Sequence, residues 1–154
     1  MDNAHIFLKR LGTDINNPAL AFDDAGTAVL EFDGTYSVTL QLMAEWDAIY
    51  MFTEVGTLPD EALGEKAVQL LSANLFGIQT GGGVLALEPT SNTVVFSKIV
   101  YLSSAEYELQ YQQVEHFLHF AEFWRSTLHS EQVAVMPEGT EVLTIPPEMQ
   151  MIRV

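Results

Sequence analysis

The chain of 154 residues carries 21 acidic against 6 basic side chains, for a formal charge of −15, and 48% of it is hydrophobic. Such a composition fits one domain with a real core, while the charge repels anionic membrane and excludes binding to a phosphate backbone. No apolar run approaches the roughly 18 residues of a membrane span, the Met1-Asp2-Asn3 start lacks a basic-then-apolar leader, and the absence of cysteine removes disulfides, thiol nucleophiles and thiolate metal sites together. A cytoplasmic protein without nucleic-acid or membrane partners is expected.

Ala4 to Leu11 is predicted as a short helix with Ile6, Phe7, Arg10 and Leu11 along one side, stopped by Gly12 and by the Asn17-Pro18 pair. Ala28 to Phe32 reads as a strand closed by the Asp33-Gly34 turn. Val38, Leu40 and Leu42 then alternate with Thr39 and Gln41, a half-buried strand with one wet face. Ala48 to Thr53 differs, because Ile49 and Met51 point one way and Tyr50 and Phe52 the other, so both faces carry apolar bulk. These three segments form an antiparallel meander with short connections.

Pro59, Asp60 and Glu61 open a second helix, proline suiting the first turn and the carboxylates meeting the positive end of the helix dipole. Leu63, Ala67, Leu70 and Asn74 make one stripe on it, and Val68, Leu71 and Leu75 widen that stripe beyond what one small sheet covers. The Gly81-Gly82-Gly83 bend leads into strands at Val84 to Glu88 and Thr93 to Leu102. A long helix follows from about Ala105 to Leu128, with Tyr107, Tyr111, Val114, Phe117, Leu118, Ala121, Trp124 and Leu128 on one stripe and Leu109, Phe120 and Phe123 outside it. Residues 131–154 contain Pro137, Pro146 and Pro147 and no clear period, and are expected to be a tail or arm behind a single domain at 1–130. The fold class is α+β: an antiparallel sheet packed with helices.

Chemical readings of the same residues are weak. Glu115, His116, His119 and Glu122 share one side of the last helix, and the two imidazoles are spaced to share a metal, but no third ligand is evident. The glycine run precedes a strand instead of a helix and no lysine follows it, so it is a turn and not a phosphate cradle. Ser72, Ser103, Ser104 and Ser130 lack a nucleophile elbow. Arg125 is expected to snorkel or to pair with a carboxylate. No catalytic residue, metal or cofactor is expected.

The stretch Leu70-Leu71-Ser72-Ala73-Asn74-Leu75-Phe76-Gly77, followed by Thr80-Gly81-Gly82-Gly83-Val84-Leu85-Ala86-Leu87-Glu88, resembles the middle of the Tir-chaperone (CesT-like, class I) family of bacterial type III secretion. Asn74-Leu75 at the end of the second helix, the glycines before the fourth strand, and Glu122-Phe123-Trp124 in the last helix carry the likeness, which covers roughly residues 4 to 130. The resemblance implies a homodimer, with an interface on the second helix and adjacent strand at Val68, Leu71, Leu75, Phe76 and Val84. It also implies binding of an extended N-terminal segment of a secreted effector, or of a small secretion regulator, which the chaperone keeps soluble and export-competent. Ile6, Phe7 and Leu11 of the first helix and Tyr50 and Phe52 of the third strand would hold that segment. The alternative is a small-molecule- or metal-binding α+β domain, which a ligand-dependent rise in melting temperature without any protein partner would favour.

Overall fold

A computed structural model describes residues 2–103 and 106–130; the arm expected at 131–154 lies outside the described residues. The chain runs α1 (Asn3–Asp14), β1 (Thr27–Phe32), β2 (Tyr36–Met43), β3 (Ala48–Thr57), α2 (Leu63–Ala73), β4 (Val84–Glu88), β5 (Thr93–Tyr101) and α3 (Tyr107–His129). All strand pairs are antiparallel, in the order β1-β2-β3-β5-β4. The expected meander is present, and β5 inserts between it and β4.

Local chemistry sets the element ends. Asp2 caps α1, its side chain accepting from the His5 N–H at 3.0 Å. The helix runs through Gly12 to Asp14, whereas the sequence suggested a stop at Gly12. The glycine serves a close approach instead: a Cβ there would sit 2.6 Å from the Asn17 carbonyl oxygen. Asp33 and Gly34 both adopt positive φ in the β1–β2 turn, as that dipeptide favours. Pro59 precedes one 3-10 turn, Asp60–Ala62, before α2 proper begins. β3 extends past Thr53 to Thr57 through a register shift between Glu54 and Gly56.

Period-two alternation then separates the two sheet faces. Leu40, Met51 and Lys98 lie opposite one another across β2, β3 and β5, as do Leu42, Ile49 and Val100. That face meets α1 and α3 in one cluster containing Phe7, Leu8, Leu11, Phe96, Phe117 and Trp124. Phe96 stacks on Phe117 with ring centroids 5.1 Å apart, and the Trp124 Nε1–H donates to the Gln79 carbonyl at 3.0 Å. The two helices are clasped at one end: Arg10 lies 3.8 Å over the Tyr107 ring and pairs with Glu108, while the Tyr107 hydroxyl donates to Asp14 at 2.6 Å.

Phe120 is buried although it falls outside the stripe predicted for α3. The reason lies in another element. Gly81 offers bare backbone, and a Cβ on it would come within 2.5 Å of the Phe120 ring, so the 80–83 turn docks onto α3 only because the position is glycine. Gly83 does the same for Phe96, its Cβ position lying 2.5 Å from that ring and 2.9 Å from the Ser97 carbonyl oxygen. Lys98, half-buried on the core face, fastens this turn by donating to the Gly81 carbonyl at 2.9 Å, and burial holds its pKa below the ordinary lysine range. His116 closes the group, edge-on to Phe120 with centroids 4.9 Å apart. Burial first, then the charges of Lys98 and His119, lower its pKa from the ordinary 6.5.

Two outcomes are expected. Gly83→Ala forces either the Phe96 ring or the β5 backbone to move and should cost about 1–3 kcal/mol of unfolding free energy, read from the denaturant midpoint. His116 is held neutral in the native state but takes a proton near pH 6.5 when unfolded, so its contribution is complete above that pH and is lost as pH falls towards the depressed native value. Chemical denaturation between about pH 7.5 and 5.5 should therefore show falling stability, with a shallower fall in His116→Asn; identical slopes would exclude this histidine as the cause.

Candidate functional site

The end of α2 is fixed by one side chain. Asn74 bonds the backbone of Leu85 in both directions, its Oδ1 accepting from the N–H at 2.9 Å and its Nδ2 donating to the carbonyl at 2.8 Å. This pins the helix to β4 and turns the next residues outward. Leu75–Gly77 form a 3-10 turn in which Phe76 takes φ +58 and ψ 8, a left-handed conformation unusual for an aromatic residue. Only Leu70 and Ala73 of α2 are buried. Val68 and Leu71 are 64% and 71% exposed, and Leu75, Phe76 and Val84 are each more than half exposed. All five residues assigned to a dimer interface thus present apolar surface, carried by α2, the turn after it and β4.

The five residues assigned to a partner site divide. Ile6 is 53% exposed, but Phe7 and Leu11 are 3% and 1% exposed. These two are corrected to core positions, because the helical period turns Ala4, Phe7, Leu8 and Leu11 into the sheet together and leaves Ile6 outside. Leu11 forms the floor of a groove of about 250 Å³ between α1, α3 and β1, walled by Ile15, Leu30, Phe32, Tyr111 and Leu118. β1 is an edge strand, so backbone as well as apolar side chains borders this groove. Tyr50 and Phe52 are half-buried on the face turned away from Ile49 and Met51, their rings 5.6 Å apart.

That outer face joins the two sets of residues. The register places Val29, Thr39, Phe52, Ser97 and Val84 in one row across all five strands, with Thr27, Gln41, Tyr50 and Ile99 in the neighbouring row. Phe52 from the partner set and Val84 from the interface set therefore stand on the same surface, two strands apart. Sequence reasoning missed Val29, nearly half exposed on this row, and also the exposed Trp46, Tyr101 and Leu109. Trp46 had a signal, an indole between Glu45 and Asp47 in a connection too short to bury it.

Among the described residues no group of three or more His, Asp and Glu side chains is placed to hold a metal ion. His116 and His119 both lean edge-on against Phe120, and Lys98 adds a positive charge beside His116 that opposes a bound cation. Arg125 reaches the Glu122 carboxylate at 3.5 Å, and its Nη2 donates to the Glu54 carbonyl at 2.9 Å. Among the described residues no helix is long and apolar enough to cross a membrane.

Comparison with known proteins agrees with this fold. A Chlamydia pneumoniae protein is 31% identical over 122 residues, covering 74% of this chain and 92% of its own length. The crystal structure of the ExsC-ExsE complex contains a chain that superposes with a TM-score of 0.68 at 25% identity, covering 83% of this chain and 97% of that one. The HopA1-SchA chaperone-effector complex gives a TM-score of 0.63 at 18% identity over 82% of this chain and 98% of that one, a likeness of fold. The model of the Tir chaperone protein (CesT) family matches residues 6–125, and the chain belongs to that family of type III secretion chaperones.

Proposed function

We propose that this chaperone works as a homodimer that binds an extended N-terminal segment of a secreted effector, or a small secretion regulator, in the bacterial cytoplasm and keeps it soluble and export-competent without catalysis of its own. The observation that carries this reading is the sheet face that no described helix covers, on which Val29, Phe52 and Val84 share a row with Thr39 and Ser97 and stand beside the exposed apolar residues at the end of α2. A segment captured in extended form brings alternating side chains and unpaired backbone groups, and this surface together with the β1 edge groove offers partners for both. Ordering such a segment costs conformational entropy, so apolar burial must supply much of the affinity. The charge of −15 selects partners that are basic on the whole.

Val68, Leu71, Leu75, Phe76 and Val84 are the proposed self-association surface. Leu71→Asp places an unpaired charge there and should weaken association by at least about 2 kcal/mol, moving the light-scattering mass at micromolar concentration towards the 17.1 kDa of one chain. Phe52→Asp should abolish co-purification of a co-expressed effector N-terminal segment while the dimer mass and melting curve stay as in the parent. Capture undiminished by Phe52→Asp would remove the outer face from the binding site.

A further inference from the structure

β3 is longer than its contact with β2. The two strands pair only from Met43↔Ala48 to Thr39↔Phe52, after which Tyr36–Val38 stay with β1 while Thr53–Thr57 stay with β5. Between the diverging strands lies a cleft of about 450 Å³. One hydroxyl ties its apex, the Thr53 Oγ1 donating to the Ser37 carbonyl at 2.7 Å. Beyond that point, the second half of β3 has no strand neighbour on this side among the described residues.

Arg125 enters the cleft from α3. Its guanidinium lies 3.7 Å over the Tyr36 ring, and its Nη2 serves both the Glu54 carbonyl and the Thr53 Oγ1. Nη1 has one long contact, 3.5 Å to a Glu122 carboxylate that is itself mostly in solvent. Nη1 is thus the end of the guanidinium that is held most loosely, by a carboxylate an incoming one could replace. A cation stacked on an aromatic ring, beside open backbone, has the chemistry to receive a peptide strand bearing a carboxylate.

We propose that the β2–β3 cleft receives the backbone of the partner segment, with an aspartate or glutamate of that segment paired to Arg125. This rests on the chaperone reading above and sharpens it. The protein's overall charge favours a basic partner, and the Arg125 cleft adds the opposite local requirement, so the segment sought is basic overall with one carboxylate in an extended stretch. Continuity supports the same occupant, because Phe52 lines the cleft and also stands on the outer row.

The test uses the full chain labelled with 15N and two blocked peptides, Thr-Val-Asp-Val-Thr and its Asn twin, as probes. The aspartate peptide should shift the amide signals of Thr53 to Thr57 and the Arg125 Nε–H, and the Asn twin should bind about tenfold more weakly. Arg125→Gln, which removes the charge, should abolish that preference in a folded protein. Equal affinities of the twins, shifts confined to another surface, or no shifts at millimolar peptide would overturn the proposal. So would exchange protection, before any peptide is added, of those Glu54 to Thr57 amides that point away from β5: protection lost on dilution assigns the cleft to a second copy, and concentration-independent protection assigns it to the chain's own residues 131–154. If co-expressed effector segments are still captured while the peptides fail, only the cleft is wrong; if capture itself fails, the chaperone reading falls with it.

Discussion

A five-stranded sheet has two faces, and the described residues supply helices for only one of them. α1 and α3 cover the side that carries Leu40, Met51, Phe96 and Val100, while α2 is committed to β4 and leaves the other side open. The open side keeps apolar residues at Val29, Tyr50, Phe52, Val84 and Ile99, where a solitary domain would gain nothing from them. An exposed apolar surface of this kind marks an interaction site, and the chain belongs to the Tir chaperone family.

The covered side shows how little space the arrangement tolerates. Gly81 and Gly83 let a turn lie directly on the Phe120 and Phe96 rings, and Lys98, a charged side chain on the core face, is usable there because it reaches back to the turn's own carbonyl. The same turn connects the exposed Phe76 to Val84. Packing against α3 therefore sets the position of the surface assigned to self-association, although no residue of α3 belongs to that surface. The left-handed Phe76 is the visible strain in this connection, held by Asn74 on one side and by Gly77 on the other.

Much of this was legible in the residues, and what was not has physical reasons. Alternation through Ile49, Tyr50, Met51 and Phe52 gave the two faces of β3 directly, since period two is a local property of the backbone. The surplus on α2 was legible for the same kind of reason, three apolar residues beyond one stripe. Phe7 and Leu11 misled because a helix pattern says which residues share a side and not whether that side meets a sheet or a partner. Phe120 was unreadable from α3 alone, as its burial depends on the missing Cβ of Gly81 some forty residues earlier. Asn74 looked like one more member of an apolar stripe, and its role as a clamp on Leu85 needed the register of β4. The cleft beside Thr53–Thr57 had no sequence signal, since it arises from where β2 turns away.

The strand order has a consequence for how the molecule is made. β1, β2 and β3 close through short turns, and so do β4 and β5, which makes two hairpin-built units that can form locally and fast. They are joined by a single seam, β3 on β5, in which Thr53 meets Phe96 and Ala48 meets Tyr101 across α2 and the glycine turn. Closing that long loop costs chain entropy before the Phe96–Phe117 stack returns any of it, so the seam and not the hairpins sets the pace of folding. Until it closes, both flanking strands expose an edge. A protein whose work is to guard unfolded chains thus passes through a stage at which it resembles its clients.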